Sequence, residues 1–438
     1  MNNYFKCGAT LTAMALVLSL SPMQSARAGT EDELRLLRQQ MAEMAKRLEE
    51  LEGKQAETQK EVEETRDSAV ITAGKSPGSF ILPGSGTEIE ISGYVKADFI
   101  YDLDEATGDV FVPESISTSG QDEGRFRAHA RQTRLRVKTS TPTDWGPLKT
   151  HLEGDFFGGG GNEVFSNSAG FRLRHAYGSI GGILAGQTWS NFMPIESYPS
   201  TVDFNGPAGI PFIRQAQLRY TVPFDDHLSF SASLENSEFS GRSAAGVAFS
   251  ESTTLGIRAG VDQAPDFTAA VTYKDDWGLV KLAGLGRYLG SPMDAGDGEI
   301  GWGVNASGNA SLWPGGKIQG QFTYGDGVGR YIINGFGQDA FVDASGDVQT
   351  IEAYGVTAQV LQDLTDEFTV GVAYGRAEFM DSVVAGDLDT VQTIHGSLFW
   401  SPHPRLTFGA EVMWGEREDA GGADDDAIRL QTSVQVNF

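Results

Sequence analysis

The sequence predicts an all-β fold: a 16-stranded transmembrane antiparallel β-barrel preceded by an N-terminal α-helical coiled coil. Three observations carry this. From Ile89 to Phe438 polar and apolar residues alternate with period two. Within that stretch short turns alternate with long loops, a barrel habit. Residues 31–66, by contrast, are charged, free of proline and built on a 3-4 apolar repeat.

In chain order, residues 1–28 have the form of a signal peptide. Lys6 supplies a positive start, Ala9 to Leu20 an apolar core too short to span a bilayer as a helix, and Ala26-Arg27-Ala28 a cleavage site before Gly29. Cys7, the single cysteine, is expected to leave with it, so the mature chain has no disulfide to form. The formal charge of −26 becomes about −28 once Lys6 and Arg27 are gone. So acidic a chain is not expected to bind nucleic acid.

Residues 29–66 are read as a periplasmic coiled-coil helix. Leu34, Leu37, Met41, Met44, Leu48 and Leu51 are spaced 3-4-3-4-3, and Gln55, Thr58, Val62 and Thr65 continue the register. A 3.5-residue repeat held this long drifts off the face of a straight helix and favours supercoiling. The expectation is three parallel chains in a rod about 50 Å long, within reach of peptidoglycan or periplasmic proteins. Residues 67–88, punctuated by Gly74, Pro77, Gly78, Pro83, Gly84 and Gly86, read as a linker.

Residues 89–438 are read as the barrel. Strands are expected near 89–102, 124–141, 147–158, 170–180, 182–190, 212–222, 227–237, 266–275, 278–290, 299–312, 316–325, 351–361, 367–380, 390–400, 405–418 and 427–438. Leu255–Val261 also alternates and is placed in an outer loop, because a seventeenth strand would leave an odd number. Outward phases are clean in Leu228–Leu234, Phe368–Tyr374 and Leu406–Trp414. Trp145, Trp277, Trp313 and Trp400 all fall at short turns, as an interfacial girdle requires. The last strand, Ile428 to Phe438, alternates apolar and polar residues and is expected to close the barrel against Ile89–Asp102. The acidic stretches Asp102–Glu105, Asp294–Glu299 and Glu416–Asp426 are placed in outer loops, where Asp424-Asp425-Asp426 is as readily a solvated surface as a divalent-ion site.

Sixteen strands leave an aqueous channel, so function is expected in the inward side chains. In strand two Arg127, His129 and Arg131 face inward, and so do Arg134, Arg136 and Lys138. The two halves are out of phase by one residue, which requires a bulge near Gln132–Thr133. In strand four Arg172 and Arg174 take the inward face and Phe171, Leu173 and Tyr177 the other; Arg219 is inward in strand six. Guanidinium groups bind carboxylates in a planar, two-pronged way and stay charged, so this wall suits passage of small anions. The alternative is that Glu153 and Asp155 of strand three neutralise these arginines and brace the wall. The loop 191–211 carries Glu196 and Asp203 and is long enough to fold inward as a constriction, with its acids facing the arginines.

Ser92–Asp98, Ala130–Arg134, Leu152–Phe156, Leu173–Tyr177, Gly186–Phe192 and Tyr324–Gly327, in this order, resemble the DcaP-like family of trimeric outer-membrane porins. The resemblance implies a sixteen-stranded homotrimer in outer-membrane lipid, a periplasmic coiled coil, and diffusion of small anions such as dicarboxylates. It also implies a pore-lining role for Arg131, Arg134, Arg172 and Arg174. A general or sugar porin, and an envelope tether or adhesin working through its coiled coil, remain alternatives. Tyr and Trp fall mainly on outward phases or at turns, which disfavours a sugar-stacking track. No G-x-S-x-G or H-E-x-x-H motif and no metal-ligand cluster appears, so neither enzymatic activity nor a cofactor is expected.

Overall fold

The computed structural model describes residues 30–68, 71–76, 78–118, 124–159, 164–239, 241–243, 248–249, 263–291, 296–335, 338–380 and 386–438. Residues 1–28, read from the sequence as a signal peptide, and Leu255–Val261 lie outside them. The chain divides into two units, Met1–Val70 and Ile71–Phe438.

In the first unit Thr30–Ser68 forms one α-helix, α1. The absence of proline and the run of Leu, Met, Glu, Lys, Arg and Gln favour it. Leu34, Leu37, Met41, Met44, Leu48 and Leu51 are each more than half exposed along it. Within one chain the apolar seam is therefore uncovered.

The second unit is a closed 16-stranded antiparallel barrel. Its first eight strands are β1 Glu88–Asp102, β2 in two pieces Arg125–His129 and Arg134–Thr141, β3 Leu148–Gly158, β4 Gly170–Ile180, β5 Ile183–Trp189, β6 Arg214–Pro223, β7 Leu228–Glu235 and β8 Asp266–Asp275. The others are β9 Gly278–Leu289, β10 Glu299–Trp313, β11 Gly316–Asp326, β12 Glu352–Asp363, β13 Phe368–Phe379, β14 Leu388–His403, β15 Leu406–Asp419 and β16 Asp424–Asn437. β16 pairs with β1 from Arg429↔Asp102 to Asn437↔Tyr94, which closes the sheet. The interruption of β2 is the expected bulge: His129 pairs with Asp98 and Arg134 with Tyr94, so four residues of β2 span three of β1. The stretch Glu416–Asp426 is not a loop. β15 runs to Asp419 and β16 starts at Asp424, because Glu418↔Asp424 still pair in an extended hairpin.

Outward faces are apolar. Ile91, Val95 and Phe99 on β1 and Val372 on β13 are exposed along the barrel wall. At the short-turn end Phe368, Trp400 and Phe408 stack across three adjacent strands with ring centroids 5.9 and 5.1 Å apart. Trp145, Trp277 and Trp313 are exposed at the same end, and Trp302 is exposed near the long-loop end of β10. Two girdles bound an apolar band, as a bilayer requires. Phe438 and Gly93 exchange backbone hydrogen bonds of 3.1 and 3.3 Å at the seam. Beyond Gly93 the free edge of β1 is covered by the linker, whose Ser79–Ile81 pairs with Glu90–Glu88. A strand edge left bare there would invite pairing with another chain.

The interior differs from the open channel expected for sixteen strands. Long loops after β1, β5 and β11 contribute Phe111, Ile116, Phe192, Met193, Ile210, Val328 and Tyr331, all nearly fully buried. Phe192, Ala208, Tyr331 and Ile332 pack with Ala283 and Leu285 of β9, Ala377 and Phe379 of β13 and Val391 of β14. That side of the lumen is filled by apolar contacts. The loop 190–213 crosses the lumen, held through its backbone by strand side chains. Lys281 donates to Met193 O (2.9 Å), Asn309 to Glu196 O (2.7 Å), Gln319 to Tyr198 O (2.9 Å) and Lys96 to Val202 O (2.7 Å). Val202 N donates to Glu411 (2.5 Å) and Ala208 N to Thr393 (3.0 Å). A loop buried in this way must have its backbone groups met, and inward amides, hydroxyls and charges of six strands meet them.

Candidate functional site: an arginine-lined cavity

The loop leaves an open space against β2–β5. A cavity of about 570 Å³ lies there, walled by Arg134, Arg136, Glu153, Arg174, His175 and Trp189 and roofed by Tyr198 and Phe204 of the loop. A second space of about 440 Å³ shares His151 and Tyr177 with it and reaches Lys138 and Lys149 near the short-turn rim. Together they trace a polar path along one wall.

The alternation of β2–β4 places the charged side chains. Asp155 is fully buried and Glu153 nearly so. Arg172 grips Asp155 in a two-pronged pair, Nε–Oδ1 2.9 Å and Nη2–Oδ2 2.8 Å. Arg174 bridges both acids, 2.9 Å to Glu153 Oε1 and 2.9 Å to Asp155 Oδ2. Arg136 Nε donates to Glu153 Oε2 at 2.8 Å, and Arg134 stands 3.4 Å from the same carboxylate. Bracing by Glu153 and Asp155 is therefore real, yet four arginines share two acids. Lys138 pairs with Glu90 at 3.3 Å near the rim.

A bulge in β4 decides part of this geometry. Glu153 pairs with His175 and Gly154 with Leu173, which leaves Arg174 as the extra residue. The phase slips by one there, so His175 and Tyr177 turn inward with Arg174. Tyr177, placed outward from the sequence, donates to or accepts from His151 Nδ1 at 3.1 Å and lines the cavity.

At the long-loop end Arg127 and Arg131 both pair with Asp109 of the β1–β2 loop, Arg131 at 2.6 Å. Burial pushes the Asp109 carboxyl up, but the hydrogen bond and charge of Arg127 and the charge of Arg131 outweigh it and hold it below its ordinary value.

The two loop acids part company. Glu196 is exposed, and its charge reaches Arg219 and Lys281. Asp203 does not present its carboxylate to the arginines, as the sequence suggested. It accepts backbone N–H groups of Phe111 (2.8 Å), Asn205 (2.8 Å) and Gly206 (3.3 Å) and so ties two loops together. Arg429 is equally structural: it is fully buried and paired with Asp102 at 2.6 and 3.1 Å.

Several lumen residues were not legible in the sequence. Arg214, at the outer end of β6, stacks on Trp189 with its guanidinium carbon 4.4 Å from the ring centroid and lies 5.5 Å from Phe212. Phe204 lies against Arg172 and Arg174 at 5.5 and 5.3 Å. These aromatics come from the loop and from a strand end, where alternation gives no phase.

A family model described as Porin subfamily matches residues 76–435. No curated protein matches. Among solved structures, the outer membrane channel DcaP of Acinetobacter baumannii superposes with a TM-score of 0.73 at 21% identity, covering 84% of this chain and 100% of that one. The anion-selective porin from Comamonas acidovorans gives 0.51 at 13% identity, covering 80% and 100%. OmpT of Vibrio cholerae, in its trimer form, gives 0.51 at 9% identity, covering 80% and 99%.

Proposed function

The chain belongs to the porin subfamily, and on that premise we propose that it is a passive outer-membrane pore preferring small anionic solutes, dicarboxylates among them. The observation that carries this reading is the imbalance of charge on the wall facing the cavity. Arg134, Arg136 and Arg174 line the cavity with Arg172, Arg214 and Arg219 close by on β4 and β6, and the acids on this side are fewer: Glu153, Asp155 and Asp203, with Glu196 and Glu235 near Arg219. In a narrow lumen of low dielectric such an excess raises the local concentration of anions and repels cations. The braced guanidiniums are held by Glu153 and Asp155, so they act on a passing carboxylate as a fixed positive field rather than as a trap. Trp189, Phe204 and Phe212 already carry guanidiniums on their faces, which supports an anion path over a sugar-stacking track.

The test is the reversal potential of the reconstituted pore in a planar bilayer under a KCl gradient. Chloride is expected to permeate better than potassium, and Arg134→Ala with Arg136→Ala to weaken that preference. A cation-selective wild type sinks the reading.

The uncovered seam of α1 supports a second proposal: three chains associate through a periplasmic coiled coil. Deleting residues 30–68 is expected to leave a conducting barrel of unchanged unitary conductance and to lower the oligomer's resistance to dissociation, read by sedimentation in detergent. Equal resistance with and without the helix would remove the coiled coil from the assembly.

A further inference from the structure

The arginines of the lumen fall into two groups. Arg127 and Arg131 are held by Asp109, Arg134, Arg136 and Arg174 by Glu153, Arg172 and again Arg174 by Asp155, and Arg429 by Asp102. On β6 the situation differs. Among the described residues neither Arg214 nor Arg219 has a carboxylate within 4.0 Å or a hydrogen-bond acceptor for its guanidinium. Arg214 Nη1 is buried without a partner. The guanidinium is kept in place by a ring face instead, 4.4 Å above Trp189, and Trp189 lines the cavity. Arg219 points inward beside Tyr177, another cavity residue, and feels the charge of Glu235 and Glu196 at longer range.

A buried donor without an acceptor is costly unless something supplies one. Stacking on Trp189 fixes the plane of the Arg214 guanidinium and leaves its N–H edge free. That edge suits the two oxygens of a carboxylate. The two residues are five apart on one strand, about 17 Å at 3.4 Å per residue. The aromatic and histidine wall of the cavity lies between them.

We propose that Arg214 and Arg219 are the solute-contacting positions of this pore, two successive stations for a carboxylate on β6, while the braced arginines of β2 and β4 supply the surrounding field. This deepens the anion-pore reading and rests on it. It moves the contact from the arginine-dense strands to the strand whose arginines have no carboxylate within 4.0 Å among the described residues. A carboxylate arriving at Arg136 or Arg172 must displace Glu153 or Asp155; at Arg214 it meets a donor that no carboxylate among the described residues holds.

The full-length pore, reconstituted in planar bilayers, tests this with malonate as the probe and its concentration-dependent block of chloride current as the readout. The double variant Arg214→Gln/Arg219→Gln is expected to weaken malonate block about tenfold, the scale of one lost charge-assisted hydrogen-bonded pair. Arg214→Lys keeps the charge but loses the two-pronged edge and the stacking plane. It is expected to lose most of the malonate block, and, because it keeps the positive charge, it guards against a merely misfolded double variant. Arg405→Gln, on a short turn outside the lumen, controls for net charge. The inference is overturned if both the double variant and Arg214→Lys block with malonate as the wild type does while the wild type is anion-selective; the pore reading then stands. A cation-selective wild type overturns both.

Discussion

The two sides of the lumen use the same alternating strands for opposite ends. On β8–β14 most inward positions are small or amide-bearing, Ala270, Ala283, Ala353 and Ala377 beside Gln319, Gln321, Thr357 and Gln359, and the few charged ones are spent on loops and on one another, Lys281 on Met193 O and Arg287 on Asp266 and Asp339. Loops settle against them, and the space becomes a packed interior. On β2–β6 the inward positions carry guanidinium, carboxylate, imidazole and indole groups, and the loop stands off to leave a cavity. The contrast shows that barrel size alone does not set the width of the passage. Inward side chains decide where a loop lands, and the loop decides where the solute goes. Apolar contact and met backbone groups hold the filled side, whereas excess charge keeps the other side wet.

The largest effect is expected where the filled side is made unfillable. A side-chain carbon added at Gly375 would collide with the backbone of Ala208, and one at Gly355 with the backbone of Gly209. Both glycines face the lumen and allow the constriction loop to lie flat on β12 and β13. Gly375→Val is expected to cost about 1–3 kcal/mol of loop docking, the usual scale of overpacking, and to raise unitary conductance as the loop lifts. Gly284→Val is the matched control, because nothing lies within 4 Å of that position. Wild-type conductance in Gly375→Val would mean that loop packing does not set the bore.

Much of the barrel was legible because a membrane strand must expose one face to lipid, and period two then follows for every strand. The count of sixteen, the closing pair β16–β1, the girdle tryptophans and the bulge in β2 all come from that constraint. In β2 the bulge was visible because arginines on both sides of Gln132–Thr133 betrayed the slip. In β4 the same device was hidden: Arg172, Arg174 and Tyr177 fit an unbroken strand as well as a bulged one, and no glycine or proline marks the slip. Asp203 was named but given another role, and Arg214 was missed, for a different reason. Their roles depend on which distant backbone or ring lies beside them, Phe111 for one and Trp189 for the other, and loop landings of that kind leave no local period. The filled half of the lumen escaped notice likewise, since Phe192, Tyr331 and Ile332 belong to loops and find their core only across the barrel.

A smaller and sharper contrast concerns the outer end of the charged side, where a loop does touch the arginines. Asp109 occupies Arg127 and Arg131, and it fastens the β1–β2 loop to β2. Its carboxyl titrates below its ordinary value, so the sign of the pH effect is fixed. The attachment is complete above the unfolded carboxylate value of about 3.9 and is lost as pH falls through the lower folded value. Between pH 7 and 5 the loop is expected to stay fastened. Asp109→Asn removes the attachment at every pH and is expected to favour the detached loop about fivefold, the equivalent of about 1 kcal/mol for a partly exposed ion pair. Limited proteolysis of residues 103–124 in the reconstituted protein reads this directly. Cleavage in Asp109→Asn at pH 7 should match that of the wild type only below about pH 4. If the wild type loosens near pH 6 instead, the Asp109 carboxylate does not control the loop. If the two proteins are cleaved alike throughout, the loop is held by its buried Phe111 and Ile116, and the charged side would then borrow its order from the same apolar packing that fills the other.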